Sequence, residues 1–101
     1  MNKTDPRWNE IVITPSSGNV FLDLGFDPAE AEILQLRADV MIAIERAIDQ
    51  RGWTQAETAR HLGINQPRVS RLRKGVWKEF SLDSLLTLAV RIGLKPALHI
   101  A

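Results

Sequence analysis

TQAETARHLGINQPRVSRLRKG, residues Thr54 to Gly75, reads as two short helices joined by a tight turn. Thr54 followed three residues later by Glu57 has the form of a capping box, in which each side chain accepts the other residue's backbone N–H. Gly63 can take the left-handed conformation that ends a helix. Asn65 is a second cap, and Pro67 is tolerated in the turn that follows, where its missing N–H has no helical partner anyway. That helix runs from Gln66 to Lys74 and stops at Gly75. Ala59 is small where two helices must cross closely, and Leu62, Ile64, Val69 and Leu72 supply a little core between them.

The second helix is two-sided. At about 100° per residue, Val69 and Leu72 fall near 300° and 240° from Gln66 and form the buried stripe. Gln66, Ser70, Lys74, Pro67 and Arg71 fall between 0° and about 140°, with Arg68 and Arg73 on the flanks near 200° and 340°. A helix docked in a DNA groove needs this distribution, with central side chains on base edges and flanking cations on the phosphate rims. The residue types suit those tasks. Gln66 can pair with an adenine edge, Arg71 can make a bidentate contact to guanine, and Pro67 can pack on a thymine methyl, while Ser70 shares their face. Gln55 presents an amide and a helix N-terminus to a phosphate. Arg68, Arg73, Lys74 and Lys78 suit backbone contacts. A basic helical face alone would serve equally as solvated surface; the Gly63 turn and the small core tip the reading toward a DNA-binding helix-turn-helix.

Charge along the chain agrees. The 101 residues carry a net charge of +1. Residues 1–50 hold four Lys/Arg and nine Asp/Glu, or −5, and residues 51–101 hold nine and three, or +6. A basic segment on an otherwise acidic domain attracts phosphate locally.

Outward from the motif, Asp27-Pro28-Ala29-Glu30 is a helix start, and Ile33, Leu36, Val40, Ile44, Ala47 and Ile48 recur at helical spacing up to Gly52. One long helix, about Pro28 to Arg51, is predicted, its outer face acidic through Glu32, Asp39, Glu45 and Asp49. Val76 to Phe80 reads as a loop. Ser81 caps a last helix carrying Leu82, Leu85, Leu86, Ala89 and Ile92, which closes at Gly93. Ile11 to Ile13 favours β structure and ends at Pro15 and the Ser16 to Asn19 turn cluster; Val20 to Phe26 reads as a packed arm with room for a helical turn. The tail from Leu94 to Ile100 alternates weakly, with Leu94, Leu98 and Ile100 on one side, and reads as a candidate edge strand, because Pro96 cannot sit in a central one; it could pair with Ile11 to Ile13 or with a second subunit. The expected class is all-α, a lambda-repressor-like domain of four to five helices with a short strand at either end as an option. Residues 1–26 form an N-terminal arm and residues 27–101 the helix-turn-helix domain.

Other chemistry finds little support. With no cysteine, disulfides and cysteine-based zinc sites are excluded, and His61 and His99 stand far apart, so neither metal nor cofactor is expected. Ser70 has no His or Asp at a suggestive spacing, and no nucleotide-binding glycine loop is present, so the chain is not read as an enzyme. Trp8, Trp53 and Trp77 read as core or interface anchors, with Trp77 also placed to lie over a DNA backbone. No apolar run approaches a membrane span and the N-terminus is unlike a signal peptide, so a cytoplasmic location is expected.

The segment resembles the helix-turn-helix of the Xre (Cro/C1-repressor-like) family. The resemblance implies base contacts at Gln66, Pro67 and Arg71 and phosphate contacts at Gln55, Arg68, Lys74 and Lys78. Pro67 departs from the polar residue often found there, and Thr58 is less apolar than the usual inner occupant. SGNVFLDLG (17–25), QPRVS (66–70) and FSLD (80–83) together are similar to the HigA-type antitoxins of toxin–antitoxin operons. That likeness implies a homodimer on an inverted-repeat operator in double-stranded DNA, autorepression, and a RelE-like toxin as protein partner. A stand-alone or phage-derived regulator without a toxin, and an interaction module that reuses the fold without DNA, are the rival readings.

Overall fold

The computed structural model describes the backbone of residues 10–13 and 19–98, with side chains from 19 to 97. The order of elements is β1 (Glu10–Ile13), α1 (Val20–Asp23), α2 (Pro28–Arg51), α3 (Gln55–Leu62), α4 (Gln66–Arg73), a 3₁₀ turn at Trp77–Glu79, α5 (Leu82–Arg91) and β2 (Lys95–Leu98). Five α-helices carry the fold, as the sequence pattern predicts. Trp8, the turn expected from Pro15 to Gly18, His99 and Ile100 lie outside the described residues.

Helix boundaries fall where local chemistry puts them. The Asp27 carboxylate accepts the N–H groups of Ala29 and Glu30 (3.1 and 3.4 Å), Pro28 occupies the first turn, and α2 ends at Gly52 with φ 67°. Ser81 accepts the N–H of Ser84 at 3.1 Å and starts α5. α1, the helical turn foreseen in the arm, is nucleated by Asn19. This residue is 3% exposed, and its Oδ1 accepts the N–H of Phe21 at 2.8 Å while its amide donates to the Ala31 carbonyl at 2.9 Å. One buried side chain thus starts a helix and ties it to α2, leaving neither half of its amide unpaired.

α2 is long enough to serve two cores. Its C-terminal half contributes Val40, Met41, Ile44, Ala47 and Ile48 to the main cluster, with Leu62, Leu72, Phe80, Leu85, Leu88, Ala89 and Ile92. Its N-terminal half gives Ala31 and Leu34 to a smaller cluster around Phe21. The second cluster corrects the expected stripe: Ile33 is 41% exposed, and Leu34 takes the inward position that periodicity assigned to it. The reason is tertiary, since Phe21 of α1 covers the side of α2 that carries residues 31 and 34.

The two strands pair with each other in parallel, Glu10 opposite Lys95 and Ile13 opposite Leu98. A parallel pair needs a long crossover, and here the whole helical domain forms it. Pro96 stands opposite Ile11 in a two-stranded sheet, where every strand is an edge.

Candidate nucleic-acid interface

The interface is built from two capped helix starts. The Thr54 hydroxyl accepts the Glu57 N–H and Glu57 Oε1 accepts the Thr54 N–H, both at 3.1 Å. Receiving the Thr54 N–H holds the Glu57 carboxyl below its ordinary value, with the Thr54 hydroxyl and the nearby charges of Arg60 and His61 adding to the effect. Asn65 Oδ1 accepts the Arg68 N–H at 2.8 Å and starts α4. Gln55 then links the two starts, its amide donating to the Gln66 carbonyl at 3.0 Å. The N-termini of α3 and α4 are therefore held beside each other, and their combined dipoles favour an anion at that edge.

The turn between the helices is tight. Gly63 has φ 69°, and a Cβ there would lie 2.9 Å from Nη1 of Arg91. That same nitrogen donates to the Leu62 carbonyl at 2.8 Å, closing the C-terminus of α3 from a helix 29 residues away. No local pattern announces this role for Arg91. Thr58, less apolar than its site suggests, is only 1% exposed, and its hydroxyl donates to the Thr54 carbonyl at 2.8 Å. Its polarity is satisfied inside the helix.

α4 has the two sides that helical geometry predicts. Val69 and Leu72 are each 1% exposed, while Gln66, Pro67, Arg71 and Lys74 lie at the surface and Ser70 is half-buried. The cations around this face are engaged differently from one another. Arg68 is half-buried, with its guanidinium 4.4 Å from the Phe80 ring centroid. Arg73 turns back to α2, donating to Asp49 at 2.6 Å and to the Glu45 carbonyl at 3.3 Å. Lys74 is the C-cap residue of α4, and the Lys78 ammonium lies 5.5 Å from the Trp77 ring centroid. Arg71 forms an ion pair through Nε with Glu79 at 3.1 Å. Glu79 escaped the sequence reading because helical periodicity ends before the 3₁₀ turn that presents it.

Trp53 and Trp77 anchor, with details that no local pattern contains. Trp77 meets Phe21 and Phe26 edge-on at centroid distances of 5.5 and 6.4 Å. Trp53 is partly buried against the main core and stacks on the exposed His61 ring at 4.0 Å and 5°. Among the described residues, no helix is long and apolar enough to cross a membrane, and no three His, Cys, Asp or Glu side chains are grouped to hold a metal ion.

A search of curated proteins finds no match to this chain. A family model described as a helix-turn-helix domain matches residues 20–101, a span that begins at α1 and includes both helices of the motif. With Gln55 and Asn65 setting two adjacent helix starts, Gly63 turning between them and a polar face left outward on α4, the chain belongs to this helix-turn-helix domain family, the architecture of DNA-binding regulators.

Proposed function

We propose that this chain is a sequence-specific transcriptional repressor, the antitoxin of a type II toxin–antitoxin operon, which represses its own promoter and neutralises a RelE-like toxin. It acts in the cytoplasm as a homodimer on an inverted-repeat operator, because one α4 covers only a half-site and two-fold partners reach successive major grooves about 34 Å apart. Gln66, Pro67, Ser70 and Arg71 read bases; Gln55, Arg68, Arg73, Lys74 and Lys78 take phosphates. Arg73 reaches a phosphate by giving up Asp49 for it, and its pairing at an exposed site makes that exchange inexpensive. Residues 1–26 serve as an arm on the domain of residues 27–101.

The observation that carries the reading is the outward face of α4, polar and accessible beside two helix N-termini locked together by Gln55. The test is a mobility shift on DNA from the chain's own promoter. Gln66→Ala and Arg71→Ala should each cost about 1–3 kcal/mol and relax base preference, while Lys74→Ala should weaken all sequences alike and lower the salt slope by about 1. Binding indifferent to Gln66→Ala and Arg71→Ala would sink groove docking and leave the interaction module. The toxin arm rests on resemblance and on the acidic side of α2. Purification with the neighbouring reading frame should retain a small basic protein, and charge reversal at Glu32, Asp39 and Glu45 should release it. Retention of nothing identifies a stand-alone regulator.

A further inference from the structure

We infer that Glu79 is a positioning residue for Arg71, orienting its guanidinium for base recognition; the inference rests on the reading of α4 as a groove-docked helix. The contact is specific in its atoms. Glu79 Oε2 meets Nε of Arg71 at 3.1 Å. With Nε drawn into this ion pair, the terminal Nη1 and Nη2 donors are the ones the proposal assigns to a base edge. Two parallel N–H donors on that edge match O6 and N7 of guanine in the major groove.

Glu79 is itself held. The Val76 N–H donates to the carbonyl of Arg71 at 3.1 Å, so the chain after α4 is registered on the residue whose side chain Glu79 orients. The N–H of Glu79 donates to the Val76 carbonyl at 3.2 Å, and that of Phe80 to the Trp77 carbonyl at 3.2 Å. Phe80 is 1% exposed and Trp77 is pinned by Phe21 and Phe26, so both flanks of the turn are fixed in packed clusters. Arginine keeps many rotamers in solution, and an anchored acid that selects one lowers the ordering cost of the base contact.

The carboxylate also has an opposite effect. It stands beside Lys78 on the phosphate-facing edge proposed for this turn and repels the DNA backbone. A bystander acid would weaken operator and arbitrary DNA equally. A positioning acid weakens arbitrary DNA but increases preference for one base pair, so its removal should move these two quantities in opposite directions.

The experiment uses the full chain and an operator duplex selected from a randomised pool by the wild-type protein, read by fluorescence anisotropy. Arg71→Ala first identifies the base pair at which preference is lost. Glu79→Gln should then reduce discrimination at that pair by about threefold to tenfold, leave other pairs unchanged and tighten binding to arbitrary duplex. In an Arg71→Ala background the same change should alter discrimination less than about twofold. The conservative Glu79→Asp should recover part of the preference. Unchanged discrimination in Glu79→Gln, or equal loss at every position, overturns the role of Glu79 while Arg71 remains a reader. If Arg71→Ala leaves every preference intact, the base-reading assignment fails and the positioning role fails with it. Matching thermal melts separate these outcomes from misfolding.

Discussion

Residues 54–74 and the aromatic cluster of Phe21, Phe26 and Trp77 are specified over different distances. Both helix starts in the first region are closed by partners three residues apart, Thr54 with Glu57 and Asn65 with Arg68. The cluster joins side chains separated by more than fifty residues along the chain. The first region keeps an outward polar face because only Val69 and Leu72 of α4 are drawn into the core. The second uses its large rings to seat α1 on α2 and to fix the start of the 3₁₀ turn, which leads into the buried Phe80. The proposed recognition chemistry therefore sits on helices whose starts are closed locally, and the long-range contacts determine how that surface is framed.

Leu62→Ala and Phe21→Ala test this contrast with the largest effects. Leu62 is fully buried in the main cluster, and its truncation should lower stability by about 3–5 kcal/mol in a denaturant titration and remove DNA binding with the fold. Phe21→Ala should cost about 3 kcal/mol, with faster hydrogen exchange confined to α1 and the Trp77–Glu79 turn while α3 and α4 stay protected. Equal exchange throughout would show that the two regions unfold together.

A smaller effect is expected at the turn. Gly63→Ala places an L-residue at φ 69° and drives its Cβ against Arg91, so a loss of about 1–2 kcal/mol is expected, with Arg91 leaving the Leu62 carbonyl. A silent substitution would mean that the turn is less constrained than its backbone indicates.

The smallest effect tests the cap. Thr54→Ala should cost about 1 kcal/mol by thermal melting at neutral pH. The Glu57 contribution has a definite sign. Its carboxyl is held below the ordinary value in the folded chain, so the stabilisation is fully present above the unfolded glutamate value of about 4.3 and is lost as pH falls through the lower folded value. The stability gap between wild type and Glu57→Gln should therefore narrow only in acid. A gap that is constant from neutral pH to strong acid would show that the charge of Glu57 adds nothing to the cap.

The helix-turn-helix was legible for the reason that makes it local. The span of α2 from Pro28 to Arg51, the left-handed Gly52 and Gly63, and the caps at Thr54, Asn65 and Ser81 follow from residues within a few positions of one another. The faces of α4 follow from helical rotation alone. Asn19 was legible only as a turn residue, because its second partner, the Ala31 carbonyl, belongs to another helix. Periodicity places Ile33 inward, because it identifies a stripe without saying which neighbour will cover it, and the fold leaves Ile33 41% exposed.

The same division holds for the candidate site. Composition and spacing determined which side chains α4 and its flanks offer: Gln66, Pro67 and Arg71 outward, Ser70 on the same face but half-buried in the fold, with Arg68, Arg73 and Lys74 around them. Tertiary structure decided how the cations are held, Arg68 over the Phe80 ring, Arg73 on Asp49, Arg71 on Glu79. It also decided that β1 and β2 join across the whole domain. A cap or a helical face is set by bonds and rotations within a turn or two. The reach of a long cationic side chain depends on which acid or ring the rest of the fold brings within a few ångströms of it, and that is settled only when distant segments pack.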